Sequence, residues 1–296
     1  MNERMPSYGG QAVIEGVLMR GKKSVAMANR SPENEIVVYK EALTGIYTSK
    51  LAKIPFLRGL IVLWDALGLG MRFLTLSANI QTGEDEKIEG PALYITLAVS
   101  LLLGIGFFFL LPALITGLVE RYTSMSSWLS NLIEGVIRLI ILVLYLGLIG
   151  KMPEIKRVFM YHGAEHKTIN AYEAGADLTP DEVAKYSVEH PRCGTSFLLT
   201  LILLSIVVFS LLGPLPLHWR LISRVLMLPI LAGLSYEYIR LLAKYLDSPI
   251  IRVLIKPNLA LQKLTTREPS KDMLEVSIRA FTMMKSMEEQ EDISPA

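Results

Sequence analysis

A single cysteine, Cys193, among 296 residues excludes a disulfide framework, and four histidines leave few places for imidazole chemistry. Charge is absent in blocks: residues 93–119 contain no Asp, Glu, Lys or Arg, and neither do residues 196–212. The first twenty residues lack the continuous apolar run of a cleavable signal peptide, so none is expected. No repeat of roughly 20 to 50 residues occurs, which excludes solenoids and propellers. Nor is there an excess of one sign, with 30 Lys and Arg against 28 Asp and Glu. That balance gives no basic footprint for nucleic acid.

What is present is apolar, 51% of the chain, and gathered into runs long enough for a bilayer, which takes about 20 helical residues. Four transmembrane helices are expected. Two are the charge-free runs 93–119 and 196–212. A third, 131–150, carries Glu134 and Arg138, whose i,i+4 spacing lets them neutralise each other. The fourth, 221–242, is interrupted by Arg224, Glu237 and Arg240. Of the 30 basic residues, 11 precede residue 91, 6 fall in 151–192 and 8 from 244 onward, so both termini and the 151–195 loop are expected on the cytoplasmic side. Cys193 then faces a reducing compartment, where a free thiol or metal ligand is the open choice.

The expected class is a mainly α, polytopic membrane protein with a small N-terminal β-unit. Residues 1–53 hold QAVIEGVLMRG, KSVAMANR and EIVVYKEAL, rich in β-branched residues and punctuated by Gly and Ser-Pro-Glu-Asn, which predicts an antiparallel sheet. Within 54–90, the run 54–79 places Arg58, Asp65 and Arg72 seven apart on one stripe, which predicts an interfacial or re-entrant helix followed by an acidic loop. Residues 91–150 hold the first two spans, 151–195 a cytoplasmic helical loop, 196–246 the last two spans, and 247–296 cytoplasmic helices. Pro153 suits the first turn of a helix ending near Gly175, and Thr179-Pro180-Asp181-Glu182 predicts a capped second one. The last helix, from Lys271, puts Met273, Ala280, Met284 and Met287 on one side, exposed unless it docks.

Within the 151–195 loop, YHGAEHKTINAYE carries the chemistry. At about 100° per residue, His166 stands about 40° from His162 and Glu165 about 60° away on the other side, so all three share a face. Two imidazoles at i,i+4 can chelate one ion, and His162-x-x-Glu165-His166 has the H-x-x-E-H order in which the glutamate is the general base of a zinc hydrolase. That match is five residues and carries no fold. His190 and Cys193 are candidates to complete the set: four ligands make a closed structural site, three leave a position open and give Glu165 a catalytic task. Glu173 lies on the same stripe about 10 Å along the axis, placed to orient a ligand or bind a second ion. Glu15 is a weaker candidate. The bland alternative makes both histidines polar helix residues and pairs Glu165 with a lysine; against it stands the crowding of three histidines and the only cysteine into one loop. Zinc is expected from the imidazole and thiolate donors, with iron or manganese if Glu165 or Glu173 is a ligand.

The stretches GGQAVIEGVLMRG (9–21), YHGAEHKTINAYE (161–173), HPRCGTSF (190–197) and LTTREP (264–269), in that order, resemble the YqhQ-like family of bacterial membrane proteins, described as predicted metal-dependent enzymes of unknown function. The resemblance implies a bacterial inner-membrane protein, with His162, Glu165, His166, His190 and Cys193 as its site and Glu15 and Gln11 facing it. The leading expectation is a metal-dependent hydrolase at the inner membrane surface. The alternative is a non-catalytic scaffold with a structural metal, binding partner proteins through the β-unit and the C-terminal amphipathic helix, with homo-oligomers open under either. A transporter fits less well, because the spans hold few ionisable residues.

Overall fold

The computed structural model describes residues 8–45, 51, 54–82 and 90–293. The chain divides into two compact units, one of Met1–Lys87, Ile149–Cys193 and Gln262–Ala296, the other of Ile88–Leu148 and Gly194–Leu261. The expected N-terminal sheet is thus part of a larger unit that also takes in the helices within 153–183 and 271–293.

In the first unit, strands β1 (Gly9–Val13), β2 (Gly16–Arg20), β3 (Ser24–Arg30) and β4 (Ile36–Ala42) form an antiparallel sheet in sequence order. Val13 pairs with Gly16 across a two-residue turn in which Glu15 takes a positive φ of 51°. A side chain at Gly16 would come within 2.3 Å of the Ala28 carbonyl oxygen, so only glycine lets β2 lie this close to β3. Strand β3 is buried on both faces, which is why SVAMANR reads as a continuous run rather than an alternation. On one face Val17, Met19, Ala26 and Ala28 pack on helices α5 (Pro153–Glu173) and α12 (Lys271–Ile293). On the other, Val13, Leu18, Val25 and Met27 meet Leu69 and Phe73 of α1 (Leu57–Thr82).

The last helix docks within its own chain. Met273, Ala280 and Met284 are buried in that core, and the Glu288 carboxylate accepts from the Lys23 and Ser24 amides, 2.7 Å each, at the β2–β3 turn. Its apolar face is therefore filled by the sheet. The polar stripe of α1 turns to the sheet as well, Asp65 pairing with Arg20 and Arg72 with Glu41, while Val62, Trp64 and Leu67 are exposed. The acidic loop expected after α1 falls mostly at 83–89, outside the described residues. The expected caps are in place: Pro153 in the first turn of α5, Gly175 at φ 73° beyond its end, and Thr179 accepting from the Glu182 amide before α6 (Pro180–Val183).

The second unit is helical. Helices α2 (Pro91–Ile105) and α3 (Leu111–Glu120) join through a π-helical turn, Gly106–Leu110; α4 (Ser127–Ile149), α7 (Gly194–Leu211), α8 (Leu217–Leu226), α9 (Leu228–Lys244) and α10 (Pro249–Leu254) follow, and α11 (Lys256–Thr265) leads back to the first unit. Among the described residues, four helices are long and apolar enough to cross a membrane, with α2 and α3 counted as one: Leu57–Thr82, Leu93–Glu120, Ser127–Ile149 and Gly194–Leu211. The expected fourth span is not one straight helix. It is the pair α8 and α9, bent by 48° at Met227, and only together are they long and apolar enough to cross. Pro229 accounts for the break, since it lacks an amide proton and disfavours helical geometry in the residue before it.

Candidate metal centre

Helix α5 carries the HGAEH residues, little more than one turn, beneath the sheet, and the backbone around them fixes each imidazole. His162 Nδ1 lies 2.9 Å from the Thr265 carbonyl oxygen and His166 Nδ1 lies 2.6 Å from that of Val188. A carbonyl only accepts, so both Nδ1 atoms carry the proton and both Nε2 atoms are left as lone-pair donors. Cys193 Sγ sits 3.2 Å from His162 Nε2. One ligand atom from each of His162, His166 and Cys193 lies within 4.8 Å of the others, with His166 and the thiol buried and His162 half-buried. Imidazoles oriented by backbone carbonyls and facing a thiol are the arrangement that metal sites use to fix tautomer and direction.

The other expected residues fall around this trio in different roles. His190 stacks beside His166, ring centres 5.7 Å apart, but its Nδ1 accepts from the Arg192 amide at 3.4 Å and its Nε2 points toward Glu173 at 3.6 Å, so its lone pair is turned away from the trio. Burial pushes the His190 imidazole below its ordinary value, and Glu173 opposes that shift. Glu173 bridges His190 and Arg192 and does not join the three donors. Glu15 binds Arg157 and accepts from the Tyr161 hydroxyl at 3.2 Å, tying the first hairpin to α5 one turn before the histidines. Gln11 projects to the opposite face of the sheet, where its Oε1 would be 2.4 Å from a side chain at Gly70, so it does not face the trio.

Glu165 is only 5% exposed, its Cγ 2.9 Å from where a side chain on Gly10 would begin. Burial lifts its carboxyl to about 7, against the opposing pull of His162 and the Gly10 amide. In chelator-treated protein the folded state holds, between the ordinary carboxylate value and about pH 7, a proton that the unfolded chain has released. Stability should fall as pH rises through that window, by about 3 kcal/mol in all, and Glu165→Gln should flatten the curve. Urea unfolding of both proteins from pH 4.5 to 8 checks it; parallel curves would contradict it.

Several supports carry no side-chain signal in the sequence. The carbonyls of Thr265 and Val188 are backbone groups. Gln262 takes both backbone groups of His190, accepting from its amide and donating to its carbonyl at 2.9 Å each. Lys167 and Asn170 clamp the carbonyls of Ala184, Tyr186, Ser187 and Glu189, which holds the loop that carries Val188. Gly163 explains the LTTREP stretch: a methyl group there would come 2.1 Å from the Arg267 carbonyl oxygen, so glycine lets that segment lie against α5 and present Thr265 to His162.

Residues 54–287 match the model of a family described as Protein of unknown function (DUF1385). The chain is also 37% identical over 300 residues to the "Uncharacterized protein YqhQ" of Bacillus subtilis (strain 168), covering 96% of this chain and 93% of that one. No solved structure matches it.

Proposed function

The chain belongs to the DUF1385 family, a kinship that brings no activity with it, and from its own residues we propose that it is a membrane-bound, metal-dependent hydrolase. The observation that carries the reading is the trio of donors within 4.8 Å, two carbonyl-oriented imidazoles on the helix that also bears Glu165 and the Cys193 thiol from the segment just before α7. His162, His166 and Cys193 would hold the ion. Zinc suits two nitrogens and one sulfur, and such an ion supplies Lewis acidity toward a peptide, amide or phosphoester. Glu165, its carboxyl raised to about 7, is poised to take and return a proton near neutral pH. His190 is the reserve fourth ligand, needing a ring flip that releases Glu173.

The membrane placement is supported by a parity argument. Strand β1 packs on α5, and β2 and β3 pack on α12, so these elements share one side of any bilayer. The chain must then cross an even number of times between β4 and α5, and again between α5 and α12. The α2–α3 helix and α4 supply two crossings in the first interval, which leaves α1 to lie along the surface with Trp64 and Leu67 toward lipid. Helix α7 and the bent α8–α9 pair supply two in the second. The excess of Lys and Arg on the sheet side makes that side cytoplasmic.

A second reading, a structural metal in a non-catalytic scaffold, draws on the depth of Glu165 beneath β1. Glu165→Gln separates the two. It keeps every donor of the trio, so the purified full chain should retain wild-type metal content under both. Under the hydrolase reading it loses turnover of peptide, amide and phosphoester test substrates that the wild type cleaves. Cleavage unchanged by Glu165→Gln overturns the assignment.

A further inference from the structure

Among the described residues of the second unit, one buried cluster brings three guanidiniums to two carboxylates. Arg220 and Arg224 stand one turn apart on α8, and with Arg138 of α4 they converge on one carboxylate, all with side chains at most 6% exposed. Glu134 Oε1 accepts from Arg138 Nη2 at 2.7 Å and Arg224 Nε at 2.9 Å, and its Oε2 from Arg224 Nη2 at 2.7 Å and Arg220 Nε at 3.2 Å. The second carboxylate is Glu120, 31% exposed, which takes Arg220 Nη1 at 2.6 Å. Three guanidiniums thus meet two carboxylates, and their other hydrogen-bond partners among the described residues, Ser130, Asn131, Ser205, Ser223 and the Phe108 carbonyl freed at the π-helical turn, are neutral. An uncompensated cation in a unit with this much apolar surface is costly. Beside Arg220 lies a cavity of about 160 Å³, with Glu120, Ser127, Asn131 and Arg220 as its polar lining and Met125, Pro214 and Leu215 as its apolar lining. On the opposite side of α8, Trp219, Ile222 and Leu226 are exposed.

We propose that this cavity binds one phosphate-type oxyanion, from a phospholipid headgroup or from free phosphate, and that Glu120 is its built-in competitor. The planar fork of Arg220 matches a tetrahedral oxyanion, whose negative charge balances the cluster. The Ser127 hydroxyl and Asn131 line the same space. A bound anion would displace Glu120 toward solvent, which its partial exposure allows.

The test uses the full chain in detergent at fixed ionic strength, titrated with inorganic phosphate, with phosphatidylglycerol, or with diacylglycerol as the phosphate-free lipid, while the unfolding midpoint is followed. A saturable rise with phosphatidylglycerol alone assigns the lipid; a rise with both phosphate-bearing probes assigns the free ion as well. Glu120→Gln should tighten binding about tenfold by removing the competing carboxylate. Ser127→Phe should fill the cavity and abolish the shift. No saturable shift with either probe, or an equal shift with diacylglycerol, overturns the proposal. So does Glu120→Gln binding no more tightly than wild type, the outcome expected if the cluster only packs helices.

Discussion

Replacing His166 by alanine is expected to strip the protein of its metal. The imidazole is one of three donors within 4.8 Å, and its Nδ1 is already committed to the Val188 carbonyl, so Nε2 is its whole contribution. Binding of a structural zinc is worth about 10–16 kcal/mol in small domains, shared among its ligands. Divided among three ligands, loss of one donor therefore removes about 3–5 kcal/mol, roughly a hundred- to several-thousandfold in affinity. Elemental analysis of protein purified without added metal should find about one ion per wild-type chain and a small fraction of that in His166→Ala. The variant should still fold, because Lys167 and Asn170 hold the Val188 loop independently of the ring. Metal retained at wild-type stoichiometry in His166→Ala would remove this histidine from the site.

Gly163→Ala is expected to damage stability and metal binding together. The new methyl would overlap the Arg267 carbonyl oxygen at 2.1 Å, a backbone atom that no rotamer can move aside. Helix α5 and the 265–268 segment must separate, at a cost of about 1–3 kcal/mol, as for other overpacked cores. That separation also carries the Thr265 carbonyl away from His162 Nδ1 and frees the ring to rotate. Loss of such an orienting partner costs about 10- to 100-fold in metal affinity. Urea midpoints and metal titration of the same preparation should therefore both fall. A stability loss with unchanged affinity would show that the Thr265 contact does not orient the ring.

Much of this architecture is legible in the residues themselves. The sheet follows from β-branched runs between Gly9-Gly10 and Ser31-Pro32, and α5 from Pro153 and Gly175, because such signals act over a few residues. The HGAEH face is likewise local, one helical turn wide. What the chain hides is what depends on distant partners or on backbone. The Thr265 and Val188 carbonyls belong to every residue type alike, so nothing marks them. Docking of α12 on the sheet converts a face that reads as exposed into core. The turning of His190 toward Glu173 depends on the Arg192 amide, and that of Gln11 toward Gly70 on strand parity. Pro229 is a local signal for the break between α8 and α9, but the apolar run around it reads as one continuous span. Arg220 and Arg224 meet Glu134 only through tertiary packing across about 90 positions, so from sequence Glu134 and Arg138 look like a self-contained pair.

The central claim is that two imidazole nitrogens and one thiolate grip the same ion. X-ray absorption at the edge of the bound metal, on full-length protein purified without added metal, tests it most directly. The account predicts one sulfur scatterer at about 2.3 Å with nitrogen scatterers at about 2.0–2.1 Å, and loss of the sulfur shell alone in Cys193→Ser. A coordination shell of light atoms only, unchanged by Cys193→Ser, or protein that carries no metal at all, would contradict it.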